Sequence, residues 1–318
     1  MKKTTLYAIS FFSCFFFCLP VLTYGNAFAG VCIISDIDDT VKVTNVGTPE
    51  TLFRALFSSK SFAGMAPLYR YLITSQSVDD KSGGVYFVTG SPESLREPLR
   101  SFLEKNNFPP SNKLFLRKNF FENICHFKIS QIETIMKNNR CDKFILVGDD
   151  TECDPDIYGF IKSMYSDKVV ATYIHIVRNE RRHIAACIAA CTLCETDGIT
   201  CDKNCIAANK KDCSSYLAGQ IFYYTAFDIA LHEKAAHRLT SEQALLVADT
   251  IREEEFDKNT IIPYFAACPE DDNWLEKIAK DLKLGSEFGV RIGDIQDKIK
   301  NICAQNKKFI ESRDNRPK

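Results

Sequence analysis

The sequence lacks an excess of charge of either sign: 40 lysines and arginines face 41 aspartates and glutamates, for a net charge of −1. Nucleic-acid binding needs a concentrated basic face, and no basic stripe interleaved with aromatic residues is present, so we predict no nucleic-acid partner. The sequence also lacks internal repeats and low-complexity tracts. Its apolar content and length suit one large domain or two modest ones with a buried core.

The amino-terminal segment has the pattern of an export signal. Lys2 and Lys3 precede an apolar stretch at residues 6–22, and Ala27 and Ala29 place small residues where a signal peptidase reads them. We predict that residues 1–29 are a cleaved signal peptide and that the mature protein is periplasmic or secreted. The alternative is an uncleaved membrane anchor, because the apolar stretch is borderline in length for a bilayer span.

Cysteine usage agrees with export. Of the 14 cysteines, Cys14 and Cys18 would leave with the signal peptide, and an even number remains in an oxidising compartment. This predicts disulfides, although their pairing cannot be read from the sequence. Six cysteines crowd into residues 187–213, where the spacing of Cys191 and Cys194 leaves zinc binding as an alternative. The other six are dispersed: Cys32, Cys125, Cys141, Cys153, Cys268 and Cys303.

From residue 30 to about residue 178, strand-like apolar runs alternate with amphipathic helical stretches. This alternation predicts an α/β fold with a Rossmann-like parallel sheet, and we place this domain at residues 30–180. Right-handed crossovers would bring the carboxyl ends of the strands to one edge. The predicted strands cover 31–34, 85–88, 114–116, 144–147 and 169–177, and helices are predicted over 93–105 and 129–138.

Two further segments flank this pattern. Residues 41–84 form an insertion after the first strand, too short for a large cap domain, and we predict a compact flap with helices opening near Thr48 and spanning 62–76. Residues 181–318 are predicted to be a cysteine-rich, mainly helical carboxyl-terminal region. Its predicted helices cover 220–237, 241–255 and 274–282.

The predicted chemistry begins where the first strand ends. Asp36 and Asp38 follow the apolar run 31–34 directly, at the sheet edge where open α/β folds bind ligands. Asp36 is the candidate nucleophile, which would form an aspartyl-phosphate. Asp38 would protonate the leaving alkoxide and later deprotonate water.

Later strand ends supply the groups that phosphoryl transfer to a carboxylate requires. Thr89 and Lys128 would hold the phosphate oxygens, because an anionic nucleophile can attack an anionic phosphate only after charge is compensated. Asp36 and Asp149 offer hard oxygen ligands that suit Mg²⁺, and Asp154 lies at a distance from Asp149 that suits a loop folding back on the metal.

This ordered set resembles the haloacid-dehalogenase-like phosphatases. The resemblance implies a sheet of that type, a metal site of Asp36, Asp149 and Asp154, and a contact of the Asp38 backbone carbonyl with Mg²⁺. Residues 30–178 are similar, more narrowly, to the catalytic domain of the actin-patch-type phosphatidate phosphatases. The strings that carry this similarity are Ser35-Asp-Ile-Asp-Asp-Thr-Val-Lys42, Gly64-Met-Ala-Pro-Leu-Tyr69, Thr89-Gly-Ser-Pro92, His126-Phe-Lys128 and Gly148-Asp-Asp-Thr-Glu-Cys-Asp-Pro-Asp-Ile-Tyr158.

The narrower resemblance implies Mg²⁺-dependent removal of phosphate from phosphatidate, at a membrane surface, to give diacylglycerol. Three positions depart from that family's pattern. Glu93 replaces an aromatic residue, Asp150 replaces a serine, and Cys153 stands at a basic position. Glu93 and Asp150 add negative charge near the expected headgroup site. The alternatives are a phosphatase of soluble phosphomonoesters and an exported interaction protein with a non-catalytic phosphatase-like fold.

Overall fold

The protein has a six-stranded, all-parallel sheet with the strand order β3-β2-β1-β4-β5-β6. The computed structural model describes residues 31–44, 59–74, 84–110, 113–119, 121–138, 141–177, 219–255 and 267–314. The strands are β1 (Val31–Ser35), β2 (Val85–Pro92), β3 (Leu114–Arg117), β4 (Lys143–Asp149), β5 (Val169–His175) and β6 (Ile221–Tyr223). The helices are α1 (Met65–Thr74), α2 (Arg96–Lys105), α3 (Ile124–Asn138), α4 (Asp154–Met164), α5 (Ala226–Ala235), α6 (Ser241–Glu253), α7 (Trp274–Asp281) and α8 (Gly289–Asp314).

The predicted α/β fold with a parallel sheet is therefore confirmed. All five residues of β1 are buried, and β1 pairs in parallel with β2 on one side and β4 on the other. A central parallel strand is covered on both faces, which explains why its sequence is continuously apolar instead of alternating. The carboxyl ends of β1, β2 and β4 consequently meet at one edge.

Each face of the sheet has its own hydrophobic core. Ile33 points to a core that includes α1 and the carboxyl-terminal helices, whereas Ile34 points to a core formed with α3 and α4. Successive strand residues face opposite sides, so these neighbours separate the two cores. The described carboxyl-terminal helices pack against the first of these cores.

The structure corrects the predicted helix at 220–237. Ile221–Tyr223 form the sixth strand, which pairs in parallel with β5, and the helix begins only at Ala226. Thr225 is its N-cap, and its side chain accepts a hydrogen bond from the N–H of Phe227. Three strand residues adjoining a helical pattern are too few to show a period of two. The sheet therefore continues into the region predicted to be only helical.

The other predicted helices lie close to their expected places, whereas α8 (Gly289–Asp314) was not predicted. Helix α6 begins with a capping box between Thr240 and Gln243, and α7 begins at Trp274. Helix α3 starts at Ile124, five residues before the predicted start, so Lys128 lies within the helix. In the insertion, α1 is present, whereas the helix predicted near Thr48 lies outside the described residues. The domain boundary near residue 180 also lies outside them and stays a prediction.

All six dispersed cysteines form disulfides, which confirms the expectation for these residues. The pairs are Cys32–Cys141, Cys125–Cys153 and Cys268–Cys303. The cysteine cluster at 187–213 and the predicted signal peptide lie outside the described residues. Within the part of the chain that the structure describes, no helix has the length and apolar character needed to cross a bilayer.

Candidate active site

The loop after β1 is fixed by a tight network of backbone hydrogen bonds. The N–H of Asp36 donates to the carbonyl of Val147 in β4 (2.9 Å). The carbonyl of Ile37 then accepts from the N–H groups of Val41 (3.0 Å) and Lys42 (2.9 Å). These bonds hold Asp36 at the carboxyl end of the central strand, where its side chain is 3% exposed.

Asp39 completes this loop in a left-handed conformation, with φ of 54°. Aspartate tolerates this region better than most residues. Its carboxylate accepts from the N–H of Thr44 (3.2 Å), and its carbonyl lies 2.7 Å from Nδ1 of His175 in β5. Asp39 and His175 therefore shape the loop, and neither belongs to the cluster of acids described next.

Lys128 lies at the centre of the predicted site and is 1% exposed. Its ammonium donates to Oδ1 of Asp154 (2.6 Å), lies 3.2 Å from Oδ1 of Asp36, and lies 3.7 Å from Oε2 of Glu152. An ammonium buried this deeply requires carboxylates beside it. The structure thus brings together one cation and two predicted acids that are far apart in sequence.

Asp36, Asp149 and Asp154 form an acidic trio in which one carboxylate oxygen of each lies within 4.8 Å of the others. All three side chains are buried. Oδ1 of Asp36 and Oδ2 of Asp154 accept no hydrogen bond, although the former is in ion-pair range of Lys128. Buried carboxylate oxygens are normally satisfied, so these vacant oxygens fit ligation of a hard divalent cation.

Gly148 lets the trio form. A Cβ at this position would lie 2.8 Å from Cβ of Asp154 and 2.7 Å from the ring of Tyr158. Any side chain here would displace the start of α4. Glycine is therefore required for Asp154 to approach Asp149.

Asp149 is held by two threonines. The hydroxyl of Thr40 donates to Oδ2 of Asp149 (3.2 Å), and both the N–H of Thr151 (2.7 Å) and its hydroxyl donate to Oδ1. These bonds orient the Asp149 carboxylate toward Asp36. Thr40 thus bonds to a side chain of the trio.

The side chain of Asp38 lies apart from the trio and faces the end of β2. Its Oδ2 accepts from the hydroxyls of Ser91 (2.8 Å) and Thr89 (3.4 Å), and its Oδ1 lies 4.0 Å from Nζ of Lys42. Asp36 and Asp38 therefore lie in different electrostatic environments, which acids with different roles need. The part of Asp38 proposed for the metal is its backbone carbonyl.

Ser91, Thr151 and Glu152 were missed by the sequence reasoning. A serine before a proline favours a helix cap over a phosphate contact, but the N-cap is Pro92 and the hydroxyl of Ser91 donates to Asp38. The available signal was its position at the end of β2, on the same edge as the predicted acids. Nothing in the sequence pattern indicated that Glu152 would approach Lys128.

Burial sets the ionisation of this cluster. It raises the pKa of Asp36 well above the usual value, with Lys128 opposing, and it raises the pKa of Asp149 in the same way, with Asp154 adding to the increase. Burial by itself lowers the pKa of Lys128, but the charges of Asp154 and Asp36 outweigh it, so the pKa lies well above the ordinary lysine value. The site therefore keeps its ammonium while excess negative charge favours proton or cation uptake.

A cavity of about 400 Å³ opens onto this edge. Asp36, Asp38 and Asp149 line its base. The apolar part of its lining consists of Pro92, Leu95, Pro98, Leu99 and Ile124. The cavity can thus receive a molecule with an anionic end and an apolar body.

Two family departures add no free charge to this cavity. Glu93 pairs with Arg96, whose NH2 donates to Oε2 (2.8 Å), and this contact lowers the pKa of Glu93. Oδ1 of Asp150 accepts from the N–H of Val177 (2.9 Å). Among the described residues that line the cavity, neither acid is present. Their expected repulsion of an anionic headgroup is therefore weaker than the sequence suggested.

Comparison with known proteins finds similarity over the amino-terminal part of the described chain. Residues 31–176 match the family model "Phosphatidate phosphatase APP1, catalytic domain". Residues 31–176 are thus similar to that catalytic domain, and this stretch is here called the APP1-type domain. The match spans the sheet through β5 and all the predicted site residues, so the resemblance inferred from the motifs is confirmed.

Two curated fungal proteins are similar to the APP1-type domain. Phosphatidate phosphatase APP1 of Saccharomyces cerevisiae is 33% identical over 162 residues, which is 47% of this chain and 26% of the yeast protein. An uncharacterized protein of Schizosaccharomyces pombe is 28% identical over 162 residues, 48% of this chain and 26% of its own length. The chain thus spans about a quarter of the length of these relatives. No solved structure matches it.

Proposed function

We propose that the protein is a Mg²⁺-dependent phosphatidate phosphatase that acts through an aspartyl-phosphate. The observation that carries this proposal is the buried acidic trio beside Lys128: Oδ2 of Asp154 accepts no hydrogen bond, and Oδ1 of Asp36 is in ion-pair range of the Lys128 ammonium without a hydrogen bond. Three carboxylates converging in this way suit a divalent cation. The family match adds the substrate class, because the yeast relative is named as a phosphatidate phosphatase.

The residues have separate roles in the proposed reaction. A carboxylate oxygen of Asp36 attacks phosphorus, the bond from phosphorus to the glycerol oxygen breaks, and Asp38 gives its proton to that oxygen, releasing diacylglycerol. Water then attacks the phosphorus of the aspartyl-phosphate while Asp38 takes a proton from it. The bond from phosphorus to the Asp36 oxygen breaks, which releases phosphate and restores both carboxyl groups.

Charge compensation is shared among the other residues. Lys128, which already faces Asp36, would neutralise the phosphoryl oxygens, and the hydroxyl of Thr89 would donate to them. Asp36, Asp149, Asp154 and the backbone carbonyl of Asp38 would hold Mg²⁺. When bound, the ion would offset the charge of the acids and of the phosphate.

The apolar part of the cavity lining supports a lipid substrate. Pro92, Leu95 and Leu99 lie next to the acidic base, so glycerol and the first acyl carbons would meet apolar side chains. Burial of such carbons is favourable by about 0.8 kcal/mol per CH₂. A phosphosugar would instead place its hydroxyl groups against these apolar side chains.

One assay tests reaction, metal and substrate together. Phosphate release is measured from phosphatidate in mixed vesicles and from soluble phosphomonoesters, each with Mg²⁺ and with EDTA, under non-reducing conditions. We expect Mg²⁺-dependent release, faster from phosphatidate. Release from soluble phosphomonoesters alone would replace the lipid with a soluble substrate, and no release from any substrate would favour a binding protein.

We also propose that the protein works outside the cytoplasm. Three disulfides among the described residues suit an oxidising compartment, and the leader has the pattern of a cleaved signal. Amino-terminal sequencing of protein recovered from the periplasm and the medium tests this. The expected first residue is Gly30, whereas a start at Met1 in the membrane fraction would indicate an anchor.

A further inference from the structure

We propose that the Cys125–Cys153 disulfide is a positioning element of the active site. It joins the two segments that carry Lys128 and Asp154 and so fixes the ammonium against the acid. The inference rests on the proposed function for its kinetic test, and it has a structural test that does not.

The disulfide lies immediately beside both functional side chains. Cys125 is in the first turn of α3, one helical turn before Lys128, and Cys153 directly precedes Asp154. The Cα atoms of the two cysteines are 6.0 Å apart. The disulfide therefore closes a covalent loop that runs through α3 and β4. The Lys128–Asp154 ion pair, with its atoms 2.6 Å apart, lies next to the point where this loop is closed.

Both helix starts need such a restraint. Lys128 places a positive charge near the amino-terminal end of α3, which opposes the helix dipole. Cys153 is the N-cap of α4, and its side chain provides no capping hydrogen bond. Asn123 holds the start of α3 by accepting from the N–H of Cys125 (2.9 Å), but that bond is local to one segment. Of the contacts described, the disulfide is the covalent one between the two helix starts.

The family that the motifs resemble implies a basic residue where this chain has Cys153. This chain instead forms a covalent bond to α3 at that position. A flexible lysine such as Lys128 gains catalytic precision from a rigid surrounding, because a displacement of about 1 Å can cost roughly 10²-fold in rate.

The chain offers a matched control. Cys268–Cys303 also has a Cα–Cα distance of 6.0 Å, and the two disulfides span similar sequence separations, 28 and 35 residues. All four cysteines are half-buried. Loss of either bond should therefore destabilise the protein to a similar extent through chain entropy. A difference in kcat between the two disulfide variants would therefore come from the position of the lost disulfide, not from a difference in stability.

The kinetic test compares the double variants C125A/C153A and C268A/C303A with the wild type. We expect removal of the site disulfide to lower kcat by about 10-fold to 10²-fold with KM within about twofold, because ordering of Lys128 and Asp154 acts in the transition state. The control variant should keep kcat within about twofold. Equal kcat values in the two variants, with the wild type active, would overturn the inference.

Hydrogen exchange followed by mass spectrometry tests the inference without activity. We expect faster exchange at residues 124–128 and 149–154 in C125A/C153A and unchanged exchange there in C268A/C303A. Unchanged exchange in both variants would refute the positioning role. An inactive wild type would reject the proposed function alone, and the exchange data would then decide on the disulfide.

A further measurement avoids variants altogether, in case loss of a disulfide prevents folding. Wild-type protein is treated with graded amounts of a phosphine reductant, and the open disulfides are mapped by mass spectrometry beside circular dichroism and activity. We expect activity to fall as the 125–153 pair opens and to return on reoxidation. Full activity with that pair open would contradict the proposal.

Discussion

Two regions of the protein bury carboxylates, and the hydrogen-bond partners of these carboxylates differ between the regions. In the carboxyl-terminal region, both oxygens of Asp228 are satisfied, by the N–H of Tyr224, the hydroxyl of Thr225 and the indole N–H of Trp274. At the catalytic edge, Oδ1 of Asp36 and Oδ2 of Asp154 accept no hydrogen bond.

Glu233 extends the comparison. Its carboxylate accepts from the hydroxyl of Tyr173 and from two nitrogens of Arg238, and it is completely buried. Complete partnering fits carboxylates that stabilise the fold, and the incomplete partnering within the acidic trio fits carboxylates that bind a ligand. Burial alone does not distinguish a structural carboxylate from a functional one, because both regions contain buried carboxylates.

The largest expected effect is on the nucleophile. Asp36→Asn keeps the size of the side chain but removes the attacking carboxylate, so phosphate release should fall by at least ~10³-fold. The measurement is kcat with the preferred phosphate ester and Mg²⁺. Glu233→Gln, assayed as folded protein, should keep most of the activity while lowering stability. Unchanged activity in Asp36→Asn would exclude the aspartyl-phosphate mechanism.

The pH dependence of stability tests the structural region. Burial raises the pKa of Asp228 to about 6 from 3.8, so its proton stabilises the folded state below about pH 4, and that contribution is lost as pH rises through 6. A shift of about two units corresponds to roughly 3 kcal/mol. Other buried acids, among them Asp36 and Asp149, also have raised pKa values, so urea unfolding at pH 4 and pH 7 should show a loss of stability in both proteins that is larger in the wild type than in Asp228→Asn. Parallel pH dependences would contradict the assignment.

Ser91→Ala should have a moderate effect. Its hydroxyl donates to Oδ2 of Asp38, and loss of this bond frees the candidate acid and base to rotate. We expect kcat to fall about tenfold, equivalent to ~1.4 kcal/mol. Ser163→Ala is the control, because that hydroxyl donates to a carbonyl in its own helix far along α4. A similar change in both variants would assign Ser91 a structural role.

The smallest expected effect is the change in the free energy of unfolding of Asp149→Asn in the absence of metal. Asp149→Asn removes one charge from the acidic trio, so in EDTA it should raise the free energy of unfolding by about 1 kcal/mol and Tm by a few degrees. Mg²⁺ should raise Tm of the wild type but not of the variant. Glu233→Gln should lower Tm in EDTA. A lower Tm for Asp149→Asn would mean that the trio stabilises the fold by itself.

The strands and the edge that carries the site could be predicted because they depend on local patterns. A buried apolar run followed by Asp36, and another followed by Asp149, needs only the rule that parallel strands share a carboxyl edge. β6 could not be predicted in this way. Its three residues adjoin a helical pattern, and their pairing with β5 depends on tertiary contact.

Side-chain partners were less accessible to sequence reasoning. The direction of Ser91 depends on a rotamer choice at the end of β2, and the lack of a donor at Oδ2 of Asp154 depends on what surrounds that oxygen in space. Disulfide pairing likewise joins Cys32 to Cys141 across 109 residues, which needs the strand order of the sheet. Residue types indicated the chemistry, and topology decided which groups meet.

The late strand β6 has a consequence for how this protein can be divided. The N–H of Ile176 donates to the carbonyl of Tyr223 (2.9 Å), so the outer side of β5 is covered by residues encoded after the APP1-type domain ends. A fragment that stopped at residue 180 would leave β5 as a bare border strand, with its N–H and C=O groups open to any extended peptide. During synthesis, β5 is likewise an unpaired edge strand until β6 has been made and has paired with it. This strand order therefore exposes the nascent chain to self-association through β5.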